Sequence, residues 1–223
     1  YKLPSLRKIL CGGAGLAASV TRHLRAHGIE AFGCYGLTEC SPCVSVNRDS
    51  WHKDGSCGVA LRCNEVRVGE SGEVLVRGAN VMAGYLGRPE LTAARIDGDG
   101  WLHTGDVGHI DKDGFLYVDG RLDDVIVLAD GTMVAPEVLE RALGAHPAIA
   151  QALVYGMPDK RSGQVVLACR LALRDGMGRD GEHSAIDFAR SVQTPDGARI
   201  EHVEVSCEPL PLSPAGKLLR RQA

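Results

Sequence analysis

Three short stretches of this 223-residue chain carry side chains that could do chemistry together. The first is Tyr35-Gly36-Leu37-Thr38-Glu39. It sets an aromatic ring, a glycine, a hydroxyl and a carboxylate side by side: a ring to stack on a base, a donor for phosphate and a hard oxygen for magnesium. Alone, the pentapeptide reads equally as a loop with a buried tyrosine and a solvated glutamate. The second is Trp101-Leu102-His103-Thr104-Gly105-Asp106. A carboxylate held by a glycine turn at the start of a strand can accept from both hydroxyls of a ribose, and Arg121, across the following hairpin, adds a donor. The bland alternative is an exposed ion pair, which is worth little. The third is Pro211-Leu212-Ser213-Pro214-Ala215-Gly216-Lys217, a rigid-then-flexible tail whose lysine can serve as a mobile point charge on a phosphate or carboxylate. A tail lysine by itself is merely solvated, so it gains meaning only beside the other two.

The elements that must position these groups follow from apolar spacing. A short strand over residues 6–11 runs into Gly12-Gly13-Ala14-Gly15, and Leu16, Val20 and Leu24 at fourfold spacing predict a helix stopped by Gly28. A second strand over 29–34 completes a parallel α/β unit. Ligands bind beyond the carboxyl ends of such strands, which brings residues 12–15 and 35–39 to one crevice. From 59 to 118 the pattern alternates instead. Val66 and Val68 answer Val74 and Val76, and Val107 and Ile110 answer Phe115 and Tyr117 across Asp111-Lys112-Asp113-Gly114, so two hairpins are expected.

Residues 120–140 read as a hinge: an apolar strand, a turn at Asp130-Gly131, and a helix entered at Pro136. That helix should bury Val138, Leu139, Ala142 and Leu143. Strands over 149–155 and 165–173, a helix over 184–192 and a strand over 199–205 then form a small α+β domain. The expected architecture is α/β (residues 1–58) with a β-rich subdomain (59–120), joined by the hinge to a small carboxyl-terminal α+β domain (121–223).

Composition excludes more than it selects. A net charge of −3 and a pI near 6.3 offer no clustered basic surface for nucleic acid. No apolar run approaches the ~20 residues of a membrane span, and the first residues, Tyr1-Lys2-Leu3-Pro4, carry no targeting pattern. The eight cysteines of so large a chain read as reduced thiols, which points to the cytoplasm. Cys40 and Cys43 have a zinc-like spacing, but Cys57 and Cys63 are too far apart to complete a ribbon-type site.

In order along the chain stand GGAGL (12–16), YGLTE (35–39), GEVLVRG (72–78), TGD (104–106), the hinge stretch and PLSPAGK (211–217). In these motifs the chain resembles the carboxyl-terminal part of the AMP-forming acyl-adenylate superfamily, which includes acyl-CoA synthetases, luciferases and carrier-protein-loading domains. The resemblance implies an enzyme that activates a carboxylic acid with ATP and magnesium and passes the acyl group to CoA. It implies that Gly13, Ala14, Gly15 and Tyr35, with Gly36 beside it, line the AMP site, that Thr38 contacts the α-phosphate and that Glu39 holds magnesium. By the same resemblance Asp106 and Arg121 take the ribose hydroxyls, Asp123 is the hinge, Gly131 borders the pantetheine tunnel and Lys217 serves adenylation.

The chain departs from the family pattern in places. The family's serine-, threonine- and glycine-rich phosphate loop is not in this sequence, so a missing amino-terminal half is expected and the chain alone should not adenylate. Gly15 stands where the family usually has proline, and the stretch between Leu173 and Glu201 is short. The hinge form VIVLADGTMVAP resembles ligases of the fatty-acyl type, which implies a medium- or long-chain fatty acid. Rival readings are a carrier-loading domain, a non-catalytic AMP-binding or partner-dependent half, and a nicotinamide-binding module. The last rests on Gly176-Met177-Gly178-Arg179-Asp180-Gly181 with Glu201 downstream. Arg170 and Arg174 on the preceding strand count against it, because a buried parallel strand should be apolar.

Overall fold

The computed structural model describes residues 5–13, 16, 18–159, 161–212 and 218–220. The chain divides into two compact units, Tyr1–Leu122 and Asp123–Ala223. Among the described residues no helix is long and apolar enough to cross a membrane.

In the first unit β1 (Lys8–Cys11), helix α1 (Ala18–Ala26) and β2 (Glu30–Gly36) form a crossover that leaves β1 and β2 parallel. Then β3 (Cys43–Val46) and β4 (Val59–Ala60) add antiparallel strands, in the order β1-β2-β3-β4. Val20, expected to face inward, is 45% exposed and Thr21 is buried instead. Leu16 precedes the helix, so the fourfold count begun there does not track the buried face. Residue 59 does not open the β-rich part either: Val59 and Ala60 pair with Val46 and Ser45 and complete the first sheet.

A second sheet follows as an antiparallel meander of β5 (Asn64–Val68), β6 (Glu73–Gly78), β7 (Leu102–Ile110) and β8 (Leu116–Arg121). Val66 lies opposite Val76 and Val68 opposite Val74, so β5 turns one face inward, while β6 is buried on both faces from Glu73 to Val76. Between β6 and β7 lies helix α2 (Pro89–Arg95), which the sequence reading did not anticipate. It is short and buries no residue, so it lacks the apolar stripe by which helices are recognised. Tyr35 and Val44 from the first sheet pack with Val74, Val76, Leu102 and Leu116 from the second in one core. Backbone bonds from Cys57 N–H to Leu116 O (2.8 Å) and from Leu116 N–H to Gly58 O (2.9 Å) stitch the same junction.

The second unit opens with the hairpin of β9 (Ile126–Val127) and β10 (Met133–Val134) and helix α3 (Pro136–Leu143). A three-stranded sheet follows: β11 (Ile149–Pro158) is antiparallel to β12 (Val165–Leu173), and helix α4 (Arg179–Ser191) crosses over to β13 (Ile200–Ser206), parallel to β12. Leu139 and Leu143 of α3 and Ala185 and Ala189 of α4 share a core with Val154, Leu167, Cys169 and Leu171. Ala142, expected on that face, is exposed. Helix α4 begins earlier than residue 184, because Asp180 and Glu182 in its first turn suit the positive end of the helix dipole.

Arg220 fastens the end of the chain to this unit. Its guanidinium pairs with both oxygens of Glu140 (2.7 and 2.8 Å), with Glu137 (3.0 Å) and Asp124 (3.4 Å), and donates to Val154 O (3.2 Å). Among the described residues one buried carboxylate oxygen of Glu137 nevertheless has no partner. Burial therefore outweighs the attraction of Arg220 and holds its pKa above the ordinary 4.5. A carboxyl whose folded pKa is raised lends its full stability below the unfolded pKa, and that stability is lost as the pH rises through the folded value. Glu137→Gln should therefore gain stability relative to the unaltered chain between pH ~4 and ~7. Urea denaturation at both ends of that window checks this, and a pH-independent difference would contradict it.

Candidate functional site

Strand β2 ends in Tyr35 and Gly36, and Thr38–Cys40 form a single 3-10 turn beyond it. Gly36 is required sterically: a Cβ there would stand 1.9 Å from Pro42 O, because the chain doubles back to pair Cys43 with Gly36. Ser41 makes the reversal in the left-handed region, at φ 54°. Thr38 is exposed at the turn and Glu39 is half-buried. The Tyr35 ring is buried, and its hydroxyl donates to Asp106 Oδ2 at 2.6 Å. Burial first, and the adjacent carboxylate second, raise the Tyr35 pKa far above its usual value, so it stays a neutral donor.

Asp106 lies in the middle of β7 rather than at its start. Opposite it on β8 is Arg121, which donates to Asp106 Oδ1 (2.8 Å) and to Thr104 O (3.2 Å). Thr104 in turn accepts the Asp106 N–H (3.1 Å) and donates to Val74 O (2.7 Å). Gly105 sits between them at φ +70°, where a Cβ would come within 2.8 Å of Arg121 Nη2 and 3.2 Å of Arg95 Nη1. Its N–H is held by the buried Glu73 (2.8 Å), whose other oxygen takes His103 Nδ1 (3.0 Å). His103 thus supports the strand. Among the described residues each Asp106 oxygen accepts one side-chain hydrogen bond, from Tyr35 or Arg121, and a carboxylate oxygen has a second lone pair for a further donor, such as a diol hydroxyl.

Glu39 is held in a similar way. The Tyr85 hydroxyl donates to its Oε1 at 2.7 Å. That bond is the largest cause holding the Glu39 pKa below the ordinary carboxylate value, and the charges of Arg95 and Arg121 add to it. The site therefore joins two carboxylates, two phenols and two guanidinia. Tyr85, Arg95 and Glu73 were not among the residues singled out from the sequence. Tyr85 is 46 positions from Glu39, and no local spacing signals their meeting.

The structure thus brings Tyr35, Gly36, Glu39, Asp106 and Arg121 into one site in the first unit, with Thr38 on the same turn. Gly13 follows β1 at φ +83°. Ala14, Gly15 and Lys217 lie outside the described residues. Asp123 and Gly131 belong to the second unit, where Asp123 is exposed in the 3-10 turn Leu122–Asp124. Gly131 turns the β9–β10 hairpin at φ +86°, so within its own unit backbone conformation, rather than crowding, calls for glycine. Magnesium fits Glu39 as a single ionised oxygen ligand. Among the described residues no three His, Cys, Asp or Glu side chains cluster to hold a metal, so a phosphate chain and water would complete the shell.

Residues 1–86 match the family model of the AMP-binding enzyme, and residues 138–217 match that of the AMP-binding enzyme C-terminal domain. The chain belongs to the AMP-binding enzyme superfamily, and among its relatives there are CoA ligases. It is 35% identical to 4-coumarate–CoA ligase 2 of Nicotiana tabacum over 239 residues, covering 99% of this chain and 43% of that protein. Feruloyl-CoA synthase of an Amycolatopsis species is 39% identical over 193 residues, covering 81% and 38%. Among solved structures, an anthranilate CoA ligase in complex with anthranoyl-AMP superposes with a TM-score of 0.85 at 25% identity, covering 100% of this chain and 45% of the other. The O-succinylbenzoate CoA synthetase of Bacillus subtilis, in complex with ATP and magnesium, gives 0.81 at 32%, covering 98% and 46%. The chain spans less than half the length of these relatives.

Gly36→Ala should destabilise the first unit by about 1–3 kcal/mol or more, since the added methyl meets backbone rather than a movable side chain. Denaturant unfolding of the variant checks this.

Proposed function

We propose that this chain is the carboxyl-terminal part of an AMP-forming acid–thiol ligase that activates a carboxylic acid with ATP and transfers the acyl group to CoA. The observation that carries the reading is Asp106, held by Tyr35 and Arg121 at 2.6 and 2.8 Å, beside the separately anchored Glu39. Asp106 and Arg121 take the ribose hydroxyls. Tyr35 and Gly36, with Gly13, Ala14 and Gly15, flank the base, and Thr38 faces the α-phosphate. Magnesium on Glu39 supplies charge neutralisation at the phosphates. A substrate carboxylate oxygen bonds to the α-phosphorus as the bond to pyrophosphate breaks, and Lys217 offsets the charge that develops there. The CoA thiolate then bonds to the acyl carbon and AMP leaves with the electron pair. Asp123 is the hinge between the two poses, and Gly131 borders the path of the pantetheine arm.

The names of the relatives support CoA as acceptor over a carrier protein, and a ring-bearing acid as substrate. The hinge sequence supports a second reading, a medium- or long-chain fatty acid. The glycine fingerprint over residues 176–181 lies inside the stretch matched by the C-terminal domain model, which favours the ligase reading over a nicotinamide module.

Assays of the natural polypeptide that contains these residues, with 4-coumarate, ferulate, anthranilate and palmitate, ATP and CoA, test the substrate class. Thioester from palmitate alone would select the fatty-acid reading. Asp106→Ala should weaken ATP binding at least about tenfold, the scale of hydrogen bonds to a charged group. Residues 1–223 alone should show no ATP–pyrophosphate exchange above background.

A further inference from the structure

Residues 79–88 wrap the turn that presents Glu39. Asn80 Nδ2 donates to Cys40 O (2.7 Å) and Cys43 O (2.9 Å), and Met82 N–H donates to Glu39 O (2.8 Å). Tyr85 is itself anchored, its N–H on Thr92 Oγ1 (2.9 Å), and Gly84 at φ +147° lets this segment pass against Thr92, where a Cβ would stand 2.8 Å from the side chain. From this fixed base the Tyr85 hydroxyl reaches Glu39 Oε1 at 2.7 Å. Arg95, whose Nη1 donates to His103 O (3.1 Å), lies close enough to act electrostatically on both the phenol and the carboxylate. One oxygen of Glu39 is therefore engaged by a donor, and the Arg95 charge acts on the carboxylate. Among the described residues no side-chain donor bonds to Oε2, and the backbone N–H of Glu39 itself also acts on the carboxylate.

We propose that Tyr85 is a positioning residue that restricts Glu39 to binding a divalent ion through one oxygen, and so selects magnesium over calcium at this site. The inference rests on Glu39 being the cation ligand of the proposed function. Magnesium accepts a single carboxylate oxygen in a compact octahedron, whereas calcium takes six to eight oxygens at longer range and favours both oxygens of one carboxylate. Oε1 already accepts the phenol, so chelation by both oxygens of Glu39 would crowd that hydrogen bond. Calcium loses its preferred geometry, and magnesium loses nothing.

The test is calorimetric ATP binding to the natural polypeptide that contains this chain, with magnesium and then calcium as the sole divalent ion. The unaltered protein should prefer the magnesium complex. Tyr85→Phe should narrow that preference about tenfold, the scale on which partners of metal ligands act, mainly by tightening the calcium complex. Glu39→Gln should erase the preference. If Glu39→Gln leaves it intact, Glu39 is not the ligand and the underlying reading fails. If Glu39→Gln erases it while Tyr85→Phe keeps it at an unchanged melting temperature, the positioning role is overturned; so too if the unaltered protein shows no preference. Should Tyr85→Phe fail to fold, Tyr85→Leu, which also removes the hydroxyl, takes its place: a narrowed preference supports the proposal and an unchanged one overturns it.

Discussion

The Asp106 carboxylate is the point on which the first unit turns. One oxygen is held from the first sheet by Tyr35 of β2, the other from the second sheet by Arg121 of β8. The surrounding packing makes that meeting possible. Tyr35 belongs to the core shared by the two sheets, Glu73 and Thr104 fix the strand, and Gly105 leaves room for two guanidinia. The Asp106–Arg121 pair is partly exposed, with the Arg121 side chain 42% accessible, so the pair itself adds little to stability. It supplies orientation, while the apolar core under Val74, Val76, Leu102 and Leu116 supplies the folding free energy.

Much of this was legible in the sequence because it depends on period and on glycine. The alternation of Val66, Val68, Val74 and Val76 signalled the β5–β6 hairpin, and the Asp111–Gly114 turn that of β7 and β8, although Ile110 lies opposite Leu116 and Val107 opposite Gly120 rather than Phe115 and Tyr117. Tyr35, Glu39, Asp106 and Arg121 could be named because each sits in a short motif whose composition is informative. What stayed hidden was long-range. Nothing in the spacing of Tyr85, Arg95 or Glu73 shows which carboxylate or strand each will meet, since that follows from how the loop after β6 returns over the 38–40 turn. Helix α2 was missed for a related reason: it buries no residue and carries no apolar stripe.

The two units treat charge differently. In the first, Asp106 and Glu39 stay partly exposed, each held by a phenol, with lone pairs left over. In the second, Arg220 draws Asp124, Glu137 and Glu140 into a crowded, largely buried cluster in which one carboxylate oxygen goes unpaired. A cluster of that kind is costly to open, because removing one member strands another charge. That suits an anchor. The open arrangement around Asp106 and Glu39 suits a place where partners are exchanged.

The two phenols also give the chain built-in optical probes. Tyr35 and Tyr85 are two of only five tyrosines, and each donates a hydrogen bond from its hydroxyl to a carboxylate. A phenol bonded in this way has a red-shifted absorption and a quenched emission. Any molecule that takes over those carboxylates therefore reports its arrival in the near ultraviolet, without a label.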